Sequence, residues 1–218
     1  MTRENFEEQL LSLKSELMQL GDLAKLAIDR SIDALESQNA DMALQVIDED
    51  AKINALEEEI NETATWLIAK EQPLASDLRK IIAVMKVTTD IERIGDLAVN
   101  IAKSVIRIGQ KEFVEPLVEI PHMASITQKM IEDILVAFND EDIYKARDVA
   151  NMDDKVDKMY GGLVEELMGV MAKNPEYITQ VIQLSFICRY LERAADHATN
   201  ISEAIIYLVK GKRYDLNS

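Results

Sequence analysis

The stretch that decides the fold runs from residue 92 to residue 101 and reads Glu-Arg-Ile-Gly-Asp-Leu-Ala-Val-Asn-Ile. One hundred residues later, from residue 192 to residue 201, the chain reads Glu-Arg-Ala-Ala-Asp-His-Ala-Thr-Asn-Ile. Six of the ten positions are identical, whereas about one match is expected by chance at ordinary residue frequencies. The sequence therefore indicates an internal duplication, with the same acidic segment in each copy.

An apolar stripe at helical spacing accompanies each copy of this segment. In the first copy the stripe consists of Val84, Val87, Ile91, Ile94, Ala98, Ile101, Val105 and Ile108. The residues one hundred positions later are also apolar, namely Leu184, Ile187, Leu191, Ala194, Ala198, Ile201, Ile205 and Leu208. Because the pattern repeats every three or four residues, both segments are predicted to lie on equivalent amphipathic helices.

Six long helices are predicted, three in each copy. They cover residues 4–37, 42–70 and 76–108, with Pro73 as an alternative third start, and then 123–138, with an earlier start as an alternative, 142–173 and 176–210. Gly21 is expected to loosen the first helix, since glycine in a helix interior costs about 1 kcal/mol relative to alanine. A linker is expected from Gly109 to Pro121, with Pro116 inside it, and Asn174-Pro175 is read as a helix-start pair.

A second alignment of the two copies holds earlier in each repeat, at an offset of 103. There, Asp50-Ala51-Lys52-Ile53-Asn54 matches Asp153-Asp154-Lys155-Val156-Asp157. The offset changes between 103 and 100 at the turn that contains Pro73 or Pro175, where changes of length are tolerated. The predicted fold is all-α, with two tandem pseudo-symmetric three-helix bundles. The predicted domains are residues 1–110 and 111–218.

The composition supports a helical protein and excludes several functions. Hydrophobic residues make up 48% of the chain, and it contains 7 Gly and 4 Pro, so strand and turn signals are sparse. A formal net charge of −16 opposes binding to nucleic acid phosphates. No apolar run approaches the roughly 18 residues of a membrane span, and the N-terminus lacks an apolar signal core. We therefore expect a cytoplasmic protein that inserts into no membrane.

Acidic and amide side chains recur four residues apart on the helices that carry the duplicated segments. In the first repeat they are Asp50, Asn54, Glu92 and Asp96, and in the second Asp153, Asp157, Glu192 and Asp196. Residues four apart share one helix face, about 6 Å apart along the axis. Two such rows on neighbouring helices would surround a hard cation such as Mg²⁺, Ca²⁺, Mn²⁺ or iron. Alternatively, Arg93 and Arg193 would neutralise the rows.

Accidental spacing competes with this interpretation. The chain contains 40 Asp and Glu residues, so a single pair of acids four apart carries no information. Recurrence of the whole Glu-Arg-x-x-Asp-x-Ala-x-Asn-Ile pattern at equivalent places is what favours a metal site.

Other candidate residues have structural explanations. The only histidines, His122 and His197, lack the Glu-x-x-His spacing of di-iron enzymes, and no phosphate-binding loop or nucleophile motif is present. The single cysteine, Cys188, is predicted to be buried. We expect Trp66 to belong to the core and His197 to pack at a partly exposed position.

The duplicated unit, the two acidic motifs and the Asp50 and Asp153 segments together resemble the PhoU family of phosphate-uptake regulators, over essentially the whole chain. The resemblance implies a non-enzymatic cytoplasmic regulator. It would act between a phosphate ABC transporter, contacting the ATPase subunit, and a phosphate-sensing histidine kinase, as a negative regulator of the phosphate-starvation response. Homodimers are common in the family.

The resemblance also implies metal clusters, with iron, zinc, manganese or magnesium as occupants. One would use Asp50, Asn54, Glu92 and Asp96, and the other Asp153, Asp157, Glu192 and Asp196. The copies differ where Asn54 replaces an acid and where Glu57 corresponds to Tyr160, so equal occupancy is not expected. The alternative function is a metal-free adaptor that docks its acidic faces on basic partner surfaces, and a carboxylate–metal hydrolase or oxidase is a third, disfavoured possibility.

Overall fold

The computed structural model describes residues 3–114, 119–212, 214 and 216, with side chains from residue 6 onward. This part of the chain contains six α-helices and one short 3₁₀ turn, and it has no β-strand. The helices are α1 (Arg3–Glu36), α2 (Ala40–Glu71), α3 (Ala75–Ile108), α4 (Glu119–Asp140), α5 (Ile143–Lys173) and α6 (Ile178–Lys210). The predicted all-α fold with two tandem three-helix bundles is confirmed.

Equivalent helices start with equivalent caps in the two repeats. The Asn39 side chain accepts a hydrogen bond from the backbone N–H of Met42 at the start of α2. Asp142 caps α5 in the same way, accepting from the N–H groups of Tyr144 and Lys145. Each cap satisfies backbone donors that have no partner inside the helix, so the turn before the second helix of each repeat is fixed locally.

The predicted linker is too long at its C-terminal end. α4 begins at Glu119, so Pro121 lies in its first turn and not in a loop. Proline is tolerated there because its missing N–H would have no helical partner. Pro116 lies outside the described residues.

The residue pair before α6 starts a helical turn, as predicted, but this is a short 3₁₀ turn and not the first turn of α6. Asn174 closes α5 by donating a hydrogen bond from its side chain to the carbonyl of Val170. Pro175 instead opens the 3₁₀ turn Pro175–Tyr177, and α6 begins after it. Asn174 therefore occupies the predicted cap position and Pro175 the first helical position of this turn, but the Asn174 side chain forms no capping hydrogen bond there.

One continuous apolar core joins the two repeats. α3 packs on α6, α1 on α3 and α4, and α4 on α6, while α2 rests on α1 and α3, and α5 on α4 and α6. All stripe residues of both copies are buried except Leu208, which is partly buried. α2 and α5 therefore lie at the outside of the molecule, each against the last helix of its own repeat.

Gly21 serves close packing and does not interrupt α1. A Cβ atom at this position would lie 2.4 Å from Cδ2 of Leu135, a buried residue of α4. The absence of a side chain lets the two repeats approach each other, and α1 continues unbroken through the glycine.

Asp90 joins the repeats through a polar contact that the sequence did not reveal. The carboxylate lies 3.0 Å from Nδ1 of His197 and accepts a weaker hydrogen bond from Asn200, at 3.4 Å. His197 therefore has the predicted partly exposed packing position, with a hydrogen bond across the α3–α6 interface in addition.

Of the two remaining single-residue predictions, the one for Cys188 is confirmed and the one for Trp66 is wrong. Cys188 is fully buried, and burial raises the pKa of its thiol to about 12, which makes it the expected inert core residue. Trp66 is 45% exposed on α2, so its assignment to the core is wrong. The predicted division at residue 110 stays a prediction.

No helix of the described residues combines the length and apolarity that crossing a membrane requires.

Candidate metal centre

Two pairs of neighbouring helices position the predicted ligands. α2 and α3 are joined by a connection of three residues, 72–74, and α5 and α6 by a similarly short one, so each pair is antiparallel. Ile53 on α2 and Val156 on α5 are both buried. These anchors fix the rotation of each outer helix, so that the carboxylates beside them point toward the edge of α3 or α6.

Three carboxylates converge in the second repeat. Asp153, Asp157 and Asp196 each offer an oxygen atom, and these atoms all lie within 4.8 Å of one another. Asp153 is buried, Asp196 is half-buried and Asp157 is exposed. Because Asp157 is exposed, a hydrated cation can approach from its side and reach the buried carboxylate of Asp153.

Glu192 lies beside this cluster but is held by an arginine. One of its oxygens accepts a hydrogen bond from Arg189 at 2.6 Å, whereas the other is enclosed and accepts none. The guanidinium of Arg189 also lies over the ring of Tyr160, 5.6 Å from its centroid. Of the four predicted ligands of the second site, three converge and the fourth adjoins them.

Burial, and to a smaller extent crowding, raises the pKa values of the carboxylates in the second site. Burial raises the pKa of Asp153 to about 6, with smaller contributions from Asp196 and Asp157 and an opposing one from the Thr199 hydroxyl. Burial and neighbouring carboxylates also raise the pKa values of Glu192 and Asp196. Holding several negative charges here without a cation is therefore unfavourable.

The first site has its predicted ligands at equivalent places, with Asn54 in place of Asp157, and its charges are arranged differently. Nδ2 of Asn54 donates to one oxygen of Asp50 at 3.0 Å. Arg93 bridges the other helix's acids, lying 2.8 Å from Asp96 and 3.4 Å from Glu92. The predicted neutralisation by arginine is thus present for this row. In the described part of the second repeat Arg193 forms no ion pair within 4 Å, although its charge opposes the rise of the Asp196 pKa.

A comparison of the two sites shows that they are unequal. Within residues 3–114 and 119–212, the second site is the only place where three Asp, Glu, His or Cys residues have ligand atoms within 4.8 Å of one another. The first site has an amide at Asn54, where the second has Asp157, and its acids already share a guanidinium. Burial nevertheless raises the pKa values of Asp50 and Glu92. The second site is therefore better prepared for a cation.

Gly95 contributes to the first site in a way that the sequence did not reveal. A Cβ atom on it would lie 3.0 Å from Cδ1 of Ile53 and 3.9 Å from Oδ1 of Asp50. The glycine therefore allows α2 to lie close against α3 beside the carboxylate. The second repeat has the buried Ala195 at the equivalent position.

Thr199 and Arg189 are also site residues that sequence reasoning missed. Their counterparts one hundred positions earlier are Val99 and Thr89. The signal that could have identified them is the difference between the two copies, because the second copy has a polar or charged residue where the first has Val99 or Thr89.

Enclosed carboxylate oxygens test whether these residues fit a metal ion. Oδ1 of Asp50, Oδ1 of its counterpart Asp153 and Oε2 of Glu192 are all buried without a hydrogen-bond partner of normal geometry. A buried polar atom without a partner costs free energy. A hard cation at the first site would satisfy the Asp50 oxygen, and one at the second site the oxygens of Asp153 and Glu192. The donors are oxygens only, which suits magnesium, manganese or iron. The residues therefore fit the implied group.

The fold and site define a class: a duplicated helical protein with a carboxylate row in each repeat. The PhoU domain model matches the chain twice, over residues 17–105 and 120–205. The chain belongs to the PhoU family.

Named relatives cover nearly the whole chain. It is 39% identical over its full length to a Clostridium acetobutylicum protein, also matched in full, named phosphate-specific transport system accessory protein PhoU homolog. A Pseudomonas aeruginosa protein of the same name is 37% identical, with 95% of this chain and 86% of that protein covered.

Solved structures of relatives have the same fold. The crystal structure of PhoU from Pseudomonas aeruginosa matches with a TM-score of 0.92 at 36% identity, covering 95% of this chain and 100% of that chain. The phosphate transport system regulatory protein PhoU from Streptococcus pneumoniae matches with a TM-score of 0.90 at 33% identity, covering 96% and 99%.

Proposed function

We propose that this chain regulates phosphate uptake in the cytoplasm as a metal-binding helical adaptor. It contacts the ATPase subunit of a phosphate ABC transporter and a phosphate-sensing histidine kinase, and it restrains the phosphate-starvation response. Membership of the PhoU family over both repeats carries the phosphate part of this proposal. The convergence of Asp153, Asp157 and Asp196 supports the metal part.

The second site is the primary metal site in this proposal. Asp153 and Asp157 on α5 and Asp196 on α6 would hold the ion, with the free oxygen of Glu192 beside them. When bound, the metal supplies positive charge that lets these carboxylates stay ionised together. The ion would also tie the outer helix to the inner one, so metal loading would set the position of α5.

The first site binds more weakly in this proposal. Asp50, Asn54, Glu92 and Asp96 supply oxygens, but Arg93 must leave Glu92 and Asp96 before a cation can use both. Magnesium, manganese and iron suit such ligands better than zinc, which is more often held by nitrogen and sulfur.

The chain acts through binding and not through catalysis in this proposal. Nδ1 of His197 is engaged with Asp90 on the other repeat, and His122 is exposed on α4. Neither histidine accompanies the carboxylates, as a di-iron oxidase would require. Self-association as a homodimer belongs to the proposal as well.

Complementation of a deletion strain tests this function. Cells that lack the chromosomal gene would receive the wild-type chain, the Asp153→Asn/Asp196→Asn variant, or a control with Asp154→Asn/Glu165→Gln, which changes two exposed acids of α5. A reporter of the phosphate-starvation response is measured in high phosphate. Wild type and control should restore repression, and the site variant should not. Failure of the wild-type chain to repress would refute the phosphate role.

A metal-free adaptor is the second candidate, and the arrangement in the first repeat favours it. Arg93 already neutralises Glu92 and Asp96 there without any ion. In this alternative, chelator-treated protein binds the transporter ATPase as tightly as metal-loaded protein, and the affinity falls steeply with salt. A loss of binding on chelation favours the metal-dependent adaptor instead.

A further inference from the structure

The outer face of α2 differs from the equivalent face of α5. It presents an acidic face, which we define as Glu58, Glu59, Glu62 and Trp66, all of them exposed. The chain has no Lys or Arg between Lys52 and Lys70. Within the described residues, none of the three glutamates forms an ion pair, so this charge is uncompensated.

Glu57 connects this face to the first carboxylate site. It precedes the face by one residue on α2, lies near enough to Glu92 for their charges to interact, and accepts a 2.6 Å hydrogen bond from Asn61. An open depression lined by Glu57, Asn61 and Trp66, among others, extends along the helix from this point. The acidic face therefore begins at the first site and runs outward from it.

Trp66 is the only tryptophan of the chain and is 45% exposed at the far end of this face. Its ring already accepts a cation, because Nζ of Lys70 lies 4.0 Å from the ring centroid. An exposed indole flanked by carboxylates is suited to a guanidinium or ammonium group, which it binds through its π face.

The equivalent face of α5 lacks most of these features, although Glu62 corresponds to the exposed Glu165. At the offset of 103 that aligns the two helices, Glu58 and Glu59 correspond to Gly161 and Gly162, and Trp66 to Gly169. A Cβ atom at any of these glycines would meet nothing within 4 Å, so the positions face outward as they do on α2. The buried positions of both helices match, which means that packing does not explain the difference.

The acidic face also costs stability. Glu58 and Glu62 are four residues apart, where like charges destabilise a helix by a few tenths of a kcal/mol. Leaving the Trp66 indole 45% exposed forgoes part of the burial that a tryptophan side chain can gain. A binding role accounts for both.

We propose that the acidic face of α2 is the docking surface for a basic, arginine-containing segment of a partner protein. The glutamates attract the segment, and Trp66 stacks on one of its guanidinium groups, as aromatic anchors do in interface hot spots. Between Glu58 and Trp66 the face extends about 12 Å along the helix, which matches a short segment. A second copy of this chain is a poor occupant, since its net charge is −16. The choice of partner rests on the proposed function.

Titration with a tryptophan-free arginine-rich peptide tests the surface directly. The full-length wild type is compared with Glu58→Gln/Glu62→Gln/Trp66→Phe, and with a control that makes equivalent changes on α5, Glu165→Gln/Glu166→Gln/Met168→Ala, all at exposed positions. Isothermal calorimetry gives the affinities, and Trp66 fluorescence locates the peptide in wild type and control. We expect the face variant to bind at least about tenfold more weakly, since aromatic and charged hot spots carry most of the binding energy, and the control to stay within twofold.

Three results would overturn the proposal. They are equal peptide affinities in all three proteins, no peptide binding by the wild type, and a dimer in sedimentation that only the face variant loses, which would make a second copy the occupant. Circular dichroism melts establish that the variants are folded.

The starvation reporter then separates this proposal from the proposed function. The face variant should lose repression while it keeps its bound metal, and the control should repress normally. Normal repression by the face variant refutes docking at this surface and leaves the phosphate role intact. If the wild type itself does not repress, the proposed function fails, and the peptide affinities alone decide the surface.

Discussion

Replacement of Asp153 by asparagine separates the effect of the second site on the stability of the metal-free protein from its role in binding metal. Burial raises the pKa of Asp153 from the ordinary 3.8 to about 6, so folding disfavours the ionised form. That difference corresponds to about 3 kcal/mol at neutral pH, and solvent screening at a partly open site reduces it to about 1–2 kcal/mol. Asparagine has nearly the same shape without the charge.

The sign of the effect follows from the direction of the pKa shift. The penalty is fully present well above pH 6 and disappears as the pH falls through 6 toward 4, because the carboxyl is then protonated in the folded protein. We therefore expect Asp153→Asn to stabilise the metal-free protein at pH 7.5, raising Tm by about 3–6 °C, and to have no stabilising effect near pH 4. Thermal melts in chelator across this pH range measure the difference.

Addition of metal should reverse the order of the two proteins. A ligand at one hundred times its Kd stabilises a folded protein by about 2.7 kcal/mol, so Mn²⁺ should raise the Tm of wild type and leave that of Asp153→Asn almost unchanged. Asp154→Asn is the control, because Asp154 is an exposed neighbour on α5 and should behave as wild type. A lower Tm for Asp153→Asn in chelator at pH 7.5 would show that another group already satisfies the carboxylate, which would refute the reasoning.

Two further predictions follow from contacts within and between the repeats. Arg93→Gln removes the guanidinium that bridges Glu92 and Asp96, so metal affinity at the first site should rise roughly fivefold, as expected for one screened charge; calorimetry on a second-site-deficient background measures it, and unchanged affinity would show that the arginine does not compete. His197→Ala leaves the buried carboxylate of Asp90 without its closest partner and should destabilise the protein by about 1–2 kcal/mol in urea; no loss would mean that the inter-repeat contact contributes nothing.

The fold was predictable because periodicity and duplication reinforce each other. Equivalent stripe residues one hundred positions apart identified both inner helices. The caps at Asn39 and Asp142 lie within three residues of the predicted starts of the second and fifth helices. The errors occurred at prolines, since Pro121 is compatible with either a loop or the first turn of a helix. Local signals leave that choice to the packing of the segment that follows.

The site was predictable as a set of positions but not as an arrangement of charges. Spacing placed Asp153, Asp157 and Asp196 on facing helices, and their oxygens converge. It did not reveal that Arg93 bridges the acids of the first site while Arg189 takes Glu192 in the second. The direction in which a long arginine side chain turns depends on its neighbours from other helices, which a linear pattern does not contain.

The exposure of Trp66 was also not predictable from the linear sequence pattern. Composition favours burying a large aromatic residue, yet this one lies on the outer face of α2. Ala64 and Leu67, which lie before and after Trp66 in the sequence, are the residues of this part of α2 that pack into the core. The angular position of Trp66 around the axis of α2, and not its hydrophobicity, decides that it faces solvent.

Metal content per chain tests the central claim most directly. Wild type, Asp153→Asn/Asp196→Asn and the control Asp154→Asn/Glu165→Gln are stripped with chelator, dialysed against Mn²⁺ and measured by elemental analysis. We expect at least one tightly held ion per chain in wild type and control, and its loss in the site variant. Equal metal in all three proteins, or near-zero metal in the wild type, would contradict a metal centre built on Asp153 and Asp196.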